Sequence, residues 1–405
     1  MMDKKSILFV DDEQMVLDGL RRALRSMRKS VDMAFATGGR EALEILAEHP
    51  FDIIVCDMRM PGMDGAQLLQ KVKKLYPATI RIILTGQADD SATKRAIHVA
   101  HQFLMKPCDP ENLKIILKRA CLLHQLMTHP LLKRTVSGID HLPSLPDSYV
   151  EIQQVLNDPC SSVQDVANVV EKDIAMSSKL LQLVNSAFFG HFNEVKSPAK
   201  AVHLLGIETV KSLVLALKVF SDFKGSKISD NFLKSLWNHS VETALFTKEI
   251  IKTMGANKRD EENAFVSGLL HDIGKLVLAA NIPDLYRKAI DLAKLYQLEL
   301  RKAEFKVFKA SHAEVGGYLL GIWGIPGDVV EAVTFHHRSH QYPGSPFTIA
   351  AAVACADRIS HELDVERCIG ICPVLDEKMF GSTEMVEKIG EWRQLCNGLK
   401  EQEHG

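Results

Sequence analysis

The sequence predicts two folds in series: a doubly wound α/β domain on a five-stranded parallel sheet, then an all-α domain. Three observations carry this. From Ser6 to about His124, short apolar runs alternate five times with amphipathic stretches. From about Met127 the strand signal largely disappears and helical periodicity takes over. Between the two lies "THPLLKRTVSGIDHLPSLP", rich in Pro, Gly and Ser, which reads as the linker region. A chain of 405 residues suffices for two or three domains, and 46% apolar with 25% charged residues is a globular composition with an ample core.

In the first domain "ILFV" precedes a helix over 13–27, "VDMAFA" one over 39–47 and "DIIVC" one over 65–75. "IRIILT" precedes one near 90–97, and "HQFLM" one from 110 onward. Ligands of such sheets gather beyond the carboxyl ends of the strands. In the second domain the periodicity predicts helices over 145–157, 163–171 (with Ser161 or Ser162 as N-cap), 174–185, 198–205, 208–220 and 231–254. Further helices are expected over 260–280, 282–295, 311–320, 327–336 and 348–363, and one more over 384–399. The resulting division is 1–125, a linker at 126–134, a helical domain at 135–340 and a C-terminal helical extension at 341–405 that completes its core.

The net charge is −2, divided as +3 up to Gln125 and −5 after it. Neither part has the basic balance of a dedicated nucleic-acid binder, and no DNA-binding module is evident. The opening "MMDKKSILFVDDE" flanks a short apolar run with charges, unlike a signal peptide. No window reaches the apolar length of a membrane span. The eight Cys contain no CxxC pair, and Cys368 and Cys372 are merely close. A cytoplasmic chain with reduced, mostly buried thiols is expected.

Polar residues fall where the strands should end: Asp11 and Asp12 after the first, Asp57 at the third, Thr85 at the fourth and Lys106 at the fifth. Three carboxylates in one pocket repel one another unless a cation joins them, and all-oxygen ligands favour Mg²⁺ or Mn²⁺. A Lys and a Thr hydroxyl opposite them suit the oxygens of a phosphoryl group. "FVDDE", "VCDMRMPGMDG", "ILTG" and "FLMKP" make residues 5–123 resemble the response-regulator receiver family, whose fold is flavodoxin-like. The resemblance implies that Asp57 accepts a phosphoryl group from a sensor histidine kinase. It implies Mg²⁺ held by Asp12, Asp57 and the main-chain carbonyl of Arg59, with Asp11 assisting through water. It makes Lys106 and Thr85 the phosphoryl ligands and Phe103 the switch aromatic.

"GLLHDIGK" places a His-Asp doublet, His271-Asp272, in a strongly apolar stretch. With 16 His and 26 Asp, a chain of this length should contain about one such doublet by chance, so context must decide. Charge in an apolar helix needs partners or a metal. Lys275 lies four residues after His271, on the same face of a continuous helix. Gly268 and Gly274 permit close helix approach. His239, His312, the doublet His336-His337 and Asp357 complete an inventory suited to Fe, Mn, Zn or Ni. Each alone is more commonly an ordinary buried polar residue; jointly they suggest a metal site.

These residues resemble the HD superfamily of metal-dependent phosphohydrolases, in whose HD-GYP branch Lys275 would aid phosphate binding. A longer resemblance is to the HDOD family, the HD-related output domain. It rests on "LPSLPDSYVEI", "DVANVVEKDIAMSSKLLQLVNSAFFG", "AVHLLGIETVKSLVL", "LWNHSVETA", "GLLHDIGKLVL", "SHAEVGGYLLGIWGIP" and "AVTFHH", in order over about 135–340. HDOD domains are generally regarded as signalling modules without established hydrolase activity. The chain departs from HD-GYP at Ser235 and Arg338, where that branch has Glu, and keeps only Tyr342-Pro343 of its loop. A single structural metal and an empty hydrogen-bonded cluster are both compatible with these residues. The leading reading is a non-catalytic output that binds a protein or a nucleotide second messenger, with no membrane contact and with dimerisation open. The alternative is a phosphorylation-controlled phosphodiesterase acting on a cyclic dinucleotide or related phosphoester.

Overall fold

The computed structural model describes residues 4–85, 96, 99–106, 108–126, 147–156, 161–185, 195–222, 228–338, 348–365, 368–372 and 383–404. The chain divides into two compact units, one of residues 1–147 together with Tyr318–Ile325, the other of Ser148–Gly317 and Pro326–Gly405.

The first unit runs β1 (Lys5–Val10), α1 (Gln14–Ala23), β2 (Val31–Ala36), α2 (Gly39–Glu48), β3 (Ile53–Asp57), α3 (Gly65–Leu75), β4 (Ile80–Thr85), β5 (Gln102–Met105) and α4 (Pro110–Leu126). All strand pairs are parallel, in the order β2-β1-β3-β4-β5. This is the flavodoxin-like order, and its direction reverses between β1 and β3, where a crevice opens beyond the strand ends. β3 and β4 are buried along their whole length, as strands covered on both faces must be. Leu8, Val10, Ile54, Cys56 and Ile83 join Leu46, Leu68, Leu69 and Val72 in one core. The helix expected over 13–27 ends at Ala23, and its tail tightens into a 3₁₀ turn over Arg25–Lys29. The helix expected near 90–97 falls, except for Ala96, outside the described residues.

α3 begins with a reciprocal cap in which the Asp64 carboxylate accepts from Gln67 N–H and the Gln67 side chain accepts from Asp64 N–H. Its first residue has to be glycine. A Cβ at Gly65 would lie 2.3 Å from the Asp57 carbonyl oxygen, so only hydrogen there lets α3 seat against the end of β3.

The second unit is helical. It comprises α5 (Asp147–Leu156), α6 (Val163–Glu171), α7 (Ile174–Val184), α8 (Pro198–Leu205), α9 (Ile207–Asp222) and α10 (Asp230–Thr253). It continues with α11 (Lys258–Leu270), α12 (Ile273–Asn281), α13 (Pro283–Leu295), α14 (Leu300–Phe308) and α15 (His312–Ile322), then α16 (Gly327–Phe335), α17 (Ile349–Leu363) and α18 (Thr383–His404). Ser162, Ser197, Ser229, Asn257 and Thr348 cap their helices through the side chain. α18 packs Ile389, Trp392 and Cys396 into the core that holds Phe246 of α10 and Cys355 of α17.

Three expectations are corrected. The helix expected over 260–280 is two helices, broken at His271-Asp272, where Asp272 takes φ −101°, ψ 7°. An apolar periodic run cannot signal this break, because it serves buried polar partners contributed by other helices. Lys275 therefore does not share a continuous helix face with His271; it pairs with Asp272. α14 was not expected, since "LRKAEFKVF" is short and largely polar, yet it buries Leu300, Ala303, Glu304 and Phe308. Cys368 and Cys372, read as close but reduced, form a disulfide. The proposed linker from 127, most of "NSAFFG" and Tyr342-Pro343 lie outside the described residues. Among the described residues no single helix is long and apolar enough to cross a membrane.

Candidate functional site

The carboxyl edge of the sheet brings together the polar strand ends. Asp11 follows β1 and is 1% exposed; Asp57 ends β3; Thr85 ends β4 beside β5, from which Lys106 follows. The Lys106 ammonium reaches the Asp11 carboxylate at 2.7 Å and also pairs with Asp57. Asp57 Oδ2 accepts from Arg59 N–H at 2.8 Å, and Asp11 Oδ1 from Glu13 N–H at 3.0 Å. Asp12 is exposed next to this edge. Burial works against the Lys106 charge, but the hydrogen bonds it donates to Asp11 and Asp57 outweigh it and raise its pKa. Phe103 is half-buried and packs against the sheet core. The donors here are carboxylate oxygens, the chemistry that Mg²⁺ prefers.

The second unit gathers all seven histidine and aspartate candidates from five different helices or helix ends. His239 lies on α10, His271 and Asp272 in the α11–α12 break, His312 at the start of α15, His336 and His337 after α16, and Asp357 on α17. His239 Nε2 lies 3.0 Å from Asp357 Oδ1 and 3.6 Å from Asp272 Oδ2. His271 Nε2 lies 3.3 Å from Asp272 Oδ2 and 3.6 Å from Asp357 Oδ1. His312 Nε2 lies 3.3 Å from Asp272 Oδ1 and 2.9 Å from His337 Nε2. Three ligand groups follow, with atoms within 4.8 Å of one another: His239, His271 and Asp357; His271, Asp272 and His336; His312, His336 and His337.

The tautomers give this arrangement its chemical meaning. His271 Nδ1 donates to Gly268 O and His336 Nδ1 to Val333 O, each at 2.7 Å. His312 Nδ1 donates to the fully buried Glu304 carboxylate at 2.7 Å. In the neutral ring each Nε2 then presents a lone pair to the interior. His239 Nε2, His271 Nε2, His336 Nε2 and Asp272 Oδ1 are buried with no hydrogen bond of acceptable geometry. Lone pairs facing carboxylate oxygens are stable together only with a positive charge among them, so the donor set fits a transition metal. With protons alone, His271 takes that role. Burial lowers its pKa, yet Asp272 and Asp357 outweigh the burial and raise it to about 10. His336 is pushed down to about 3 by burial and by the neighbouring His271 and His312. Against their own burial, Asp272 is held well below the usual carboxylate range by His271 and Lys275, and Asp357 by His361 and His239.

Two members were not foreseen. His361, four residues after Asp357 and so on the same face of α17, lies 3.4 Å from its carboxylate and stacks on His239. That spacing was a legible signal. Glu304, which orients His312, sits on the helix that the sequence did not announce. Of the two departures from HD-GYP within the described residues, Ser235 is exposed one turn before His239, and Arg338 pairs with Glu314. Gly274 sets the distance between the halves of the cluster: a Cβ there would lie 1.9 Å from the His312 carbonyl oxygen.

Comparison with known proteins places both units. Residues 142–339 match the HDOD domain family and residues 7–118 the response regulator receiver domain family. An uncharacterized protein of Treponema pallidum (strain Nichols) is 26% identical over 242 residues, 60% of this chain and 46% of that protein. The transcriptional regulatory protein ZraR of Escherichia coli (strain K12) is 37% identical over 119 residues, 29% of this chain and 26% of its own length. The chain thus spans about half or less of the length of these curated relatives. The crystal structure of an HDOD domain protein of unknown function from Geobacter sulfurreducens shares the fold. Its TM-score is 0.51 at 24% identity, covering 70% of this chain and 99% of that one. A receiver domain implies a phosphodonor such as a histidine kinase, and receivers generally use Mg²⁺. The chain belongs to the response regulators, with an N-terminal receiver domain and a C-terminal HDOD output domain.

Proposed function

We propose that this chain is a cytoplasmic phosphorylation switch in which a histidine kinase phosphorylates Asp57 and the HDOD domain answers by binding a protein or nucleotide partner. The supporting observation is the Asp11–Lys106–Asp57 constellation at the carboxyl edge of the sheet. Asp11, Asp12, Asp57 and the Arg59 carbonyl would hold Mg²⁺, which would offset the repulsion between the carboxylates and an incoming phosphoryl group. The phosphoryl group passes from the kinase histidine to a carboxylate oxygen of Asp57, and Lys106 and Thr85 take up its oxygens. Phe103 follows the rearranged edge, so that added charge becomes a change of surface. Labelling with acetyl phosphate and Mg²⁺ tests this. Asp57→Asn should abolish the mass increase of one phosphoryl group, and labelling at the normal rate would overturn the assignment. The domain limits proposed are 1–125 for the receiver, 126–134 for the linker, 135–340 for the HDOD domain and 341–405 for its helical extension.

A second reading, a metal-dependent phosphodiesterase, is favoured by the Nε2 atoms of His239, His271 and His336, buried without a hydrogen-bond partner. A metal held there would supply an activated water. Lys275 would draw the substrate phosphate, and the paired Arg338 leaves the ligand set without an unbalanced cation. Anaerobic purification, elemental analysis and assay of cyclic dinucleotides with Mn²⁺ and Fe²⁺ decide it. Two metals per chain with turnover lost in His271→Ala would establish hydrolysis. Metal-free protein without turnover would leave the binding output alone.

A further inference from the structure

The Cys368–Cys372 disulfide has no task in either reading above, yet it stands on the wall of the cleft that leads to the His/Asp cluster. His337, Asp357 and His361 of the cluster line this cleft together with Cys368, Ile369 and Ile371. The cleft offers about 40 Å³ of free space, enough for a few waters or a bare metal ion and too little for an organic ligand. Whatever reaches the cluster from this side passes the disulfide.

The bond closes a ring over residues 368–372, and main-chain contacts seat that ring on the turn between α13 and α14. Gly370 bridges to Glu299 as a short antiparallel pair, and Ile371 N–H donates to Leu298 O at 3.3 Å. Gly370 takes φ +78°, and a Cβ there would lie 2.1 Å from Leu298 O and 2.9 Å from Ala293 O, so the ring lies flush on the end of α13. Ile371 is 39% exposed, so water competes for these contacts. Covalent closure removes the other conformations open to so short a segment. The other described cysteines are free thiols. In the cytoplasmic setting proposed above, a disulfide is typically transient and redox-sensing. Cys368 and Cys372 are both half-buried, which leaves their sulfurs within reach of an attacking thiolate.

We infer that Cys368–Cys372 is a redox latch on the mouth of the His/Asp cluster. In the oxidised form the ring is held on the α13–α14 turn and keeps the cleft narrow. A dithiol reductant opens it. One thiolate attacks Cys368 Sγ or Cys372 Sγ, the S–S bond breaks, and a mixed disulfide forms. The second thiol of the reductant then displaces the chain. Two electrons and two protons pass to the cysteines, and the reductant leaves as its own disulfide. The freed segment lifts from Leu298 and Glu299, and the cleft widens toward His337 and His361. The latch serves a binding output and a catalytic one alike, because it governs access to the cluster and not what the cluster holds.

The test uses the full chain, either oxidised with diamide or reduced with dithiothreitol in native buffer, then desalted without air. Thiols are counted by the mass added by a maleimide. Access is read from the rate at which diethyl pyrocarbonate modifies His337, mapped by peptide mass. Amide hydrogen exchange over 298–301 and 368–372 reads the ring itself. Reduction should expose two further thiols, speed modification of His337 several-fold and raise exchange in both segments. The double variant Cys368→Ser, Cys372→Ser should match the reduced wild type after either treatment. Circular dichroism checks its fold, and the two states of the wild type decide the matter where it does not fold. Failure of diamide to join the two thiols would overturn the inference, as would reduction that requires denaturant. Equal modification of His337 in both states would also overturn it, since the bond would then be structural only. So would a matching rise at the exposed His203 of α8, which would report general loosening instead of an opened cleft.

Discussion

Replacing Gly274 by alanine should damage stability and, in protein loaded with Mn²⁺, metal retention together. Its Cβ would lie 1.9 Å from the His312 carbonyl oxygen and 2.8 Å from Gly316 N. Both are backbone atoms, so no side-chain rotation relieves the clash. Ordinary contact at about 3.5 Å requires α12 and the start of α15 to part by roughly 1.5 Å. Asp272, two residues upstream, moves with α12, and its 3.3 Å separation from His312 Nε2 widens accordingly. Asp272 belongs to one ligand group and His312 to another, joined through His336, so the movement pulls the two groups apart and weakens what they share. The expected cost is about 1–3 kcal/mol in stability, as for overpacking generally. Metal affinity should fall about 10–100-fold, as when supporting contacts of ligands are removed. The assays are urea unfolding followed by the helical signal of the second unit, and retained metal after dialysis. Gly390→Ala, with nothing within 4 Å of the added methyl, is the control and should be neutral or stabilising by about 0.5–1 kcal/mol. A Gly274→Ala protein with unchanged unfolding midpoint and unchanged metal content would refute the reasoning.

Further outcomes follow from the same contacts. Gly65→Ala should slow acetyl phosphate labelling and destabilise the receiver by about 1–3 kcal/mol, measured by labelling kinetics and denaturant unfolding, because its Cβ meets the Asp57 carbonyl. Arg81→Leu should cost the receiver about 2–4 kcal/mol in the same unfolding assay. The guanidinium donates to Val99 O at 2.7 Å and Thr79 O at 2.9 Å, and these carbonyls would lose their partner. His101 is held well below its ordinary pKa by burial and by Arg81 and Lys73, so the folded receiver keeps it neutral where the unfolded chain protonates. Its contribution is therefore intact above pH 6.5 and is lost as pH falls below it, by about 1.4 kcal/mol per pH unit; His101→Gln should flatten that slope. Chelation should lower the melting temperature of metal-loaded protein, by an amount equivalent to about 2.7 kcal/mol if free metal had stood at 100 times its dissociation constant. Scanning calorimetry before and after EDTA measures it.

The α/β unit was legible because each of its signals is local. "ILFV", "DIIVC" and "IRIILT" are runs that only strands buried on both faces require, and the polar residues follow them at the strand ends. The ligand inventory of the helical unit was legible too, since His and Asp in apolar helices need an explanation. Its geometry was not. The break at His271-Asp272 depends on partners from α10, α15 and α17, and no period in the run 260–280 records them. Glu304 was missed because α14 is short and polar, and its value to the cluster lies in one buried carboxylate. The Cys368–Cys372 pairing was missed because four-residue spacing alone does not bring two thiols into contact; the bridge of Gly370 to Glu299 does.

The glycines at 65, 268 and 274 share one property: at each, the nearest atoms to a would-be Cβ include backbone of a neighbouring element. The positions of Asp57, Asp272 and His312 are thus set by contacts between main chains, which any exchange of ligand side chains leaves untouched. Scaffold and chemistry can consequently drift at different rates. A histidine in the cluster could become a serine or a glutamate while the helices hold their stations, whereas no residue with a side chain can replace the three glycines without moving them. A fold organised in this way can lose, regain or exchange a reaction by a few substitutions and still present the same cavity, which makes it a durable frame for signalling domains of differing output.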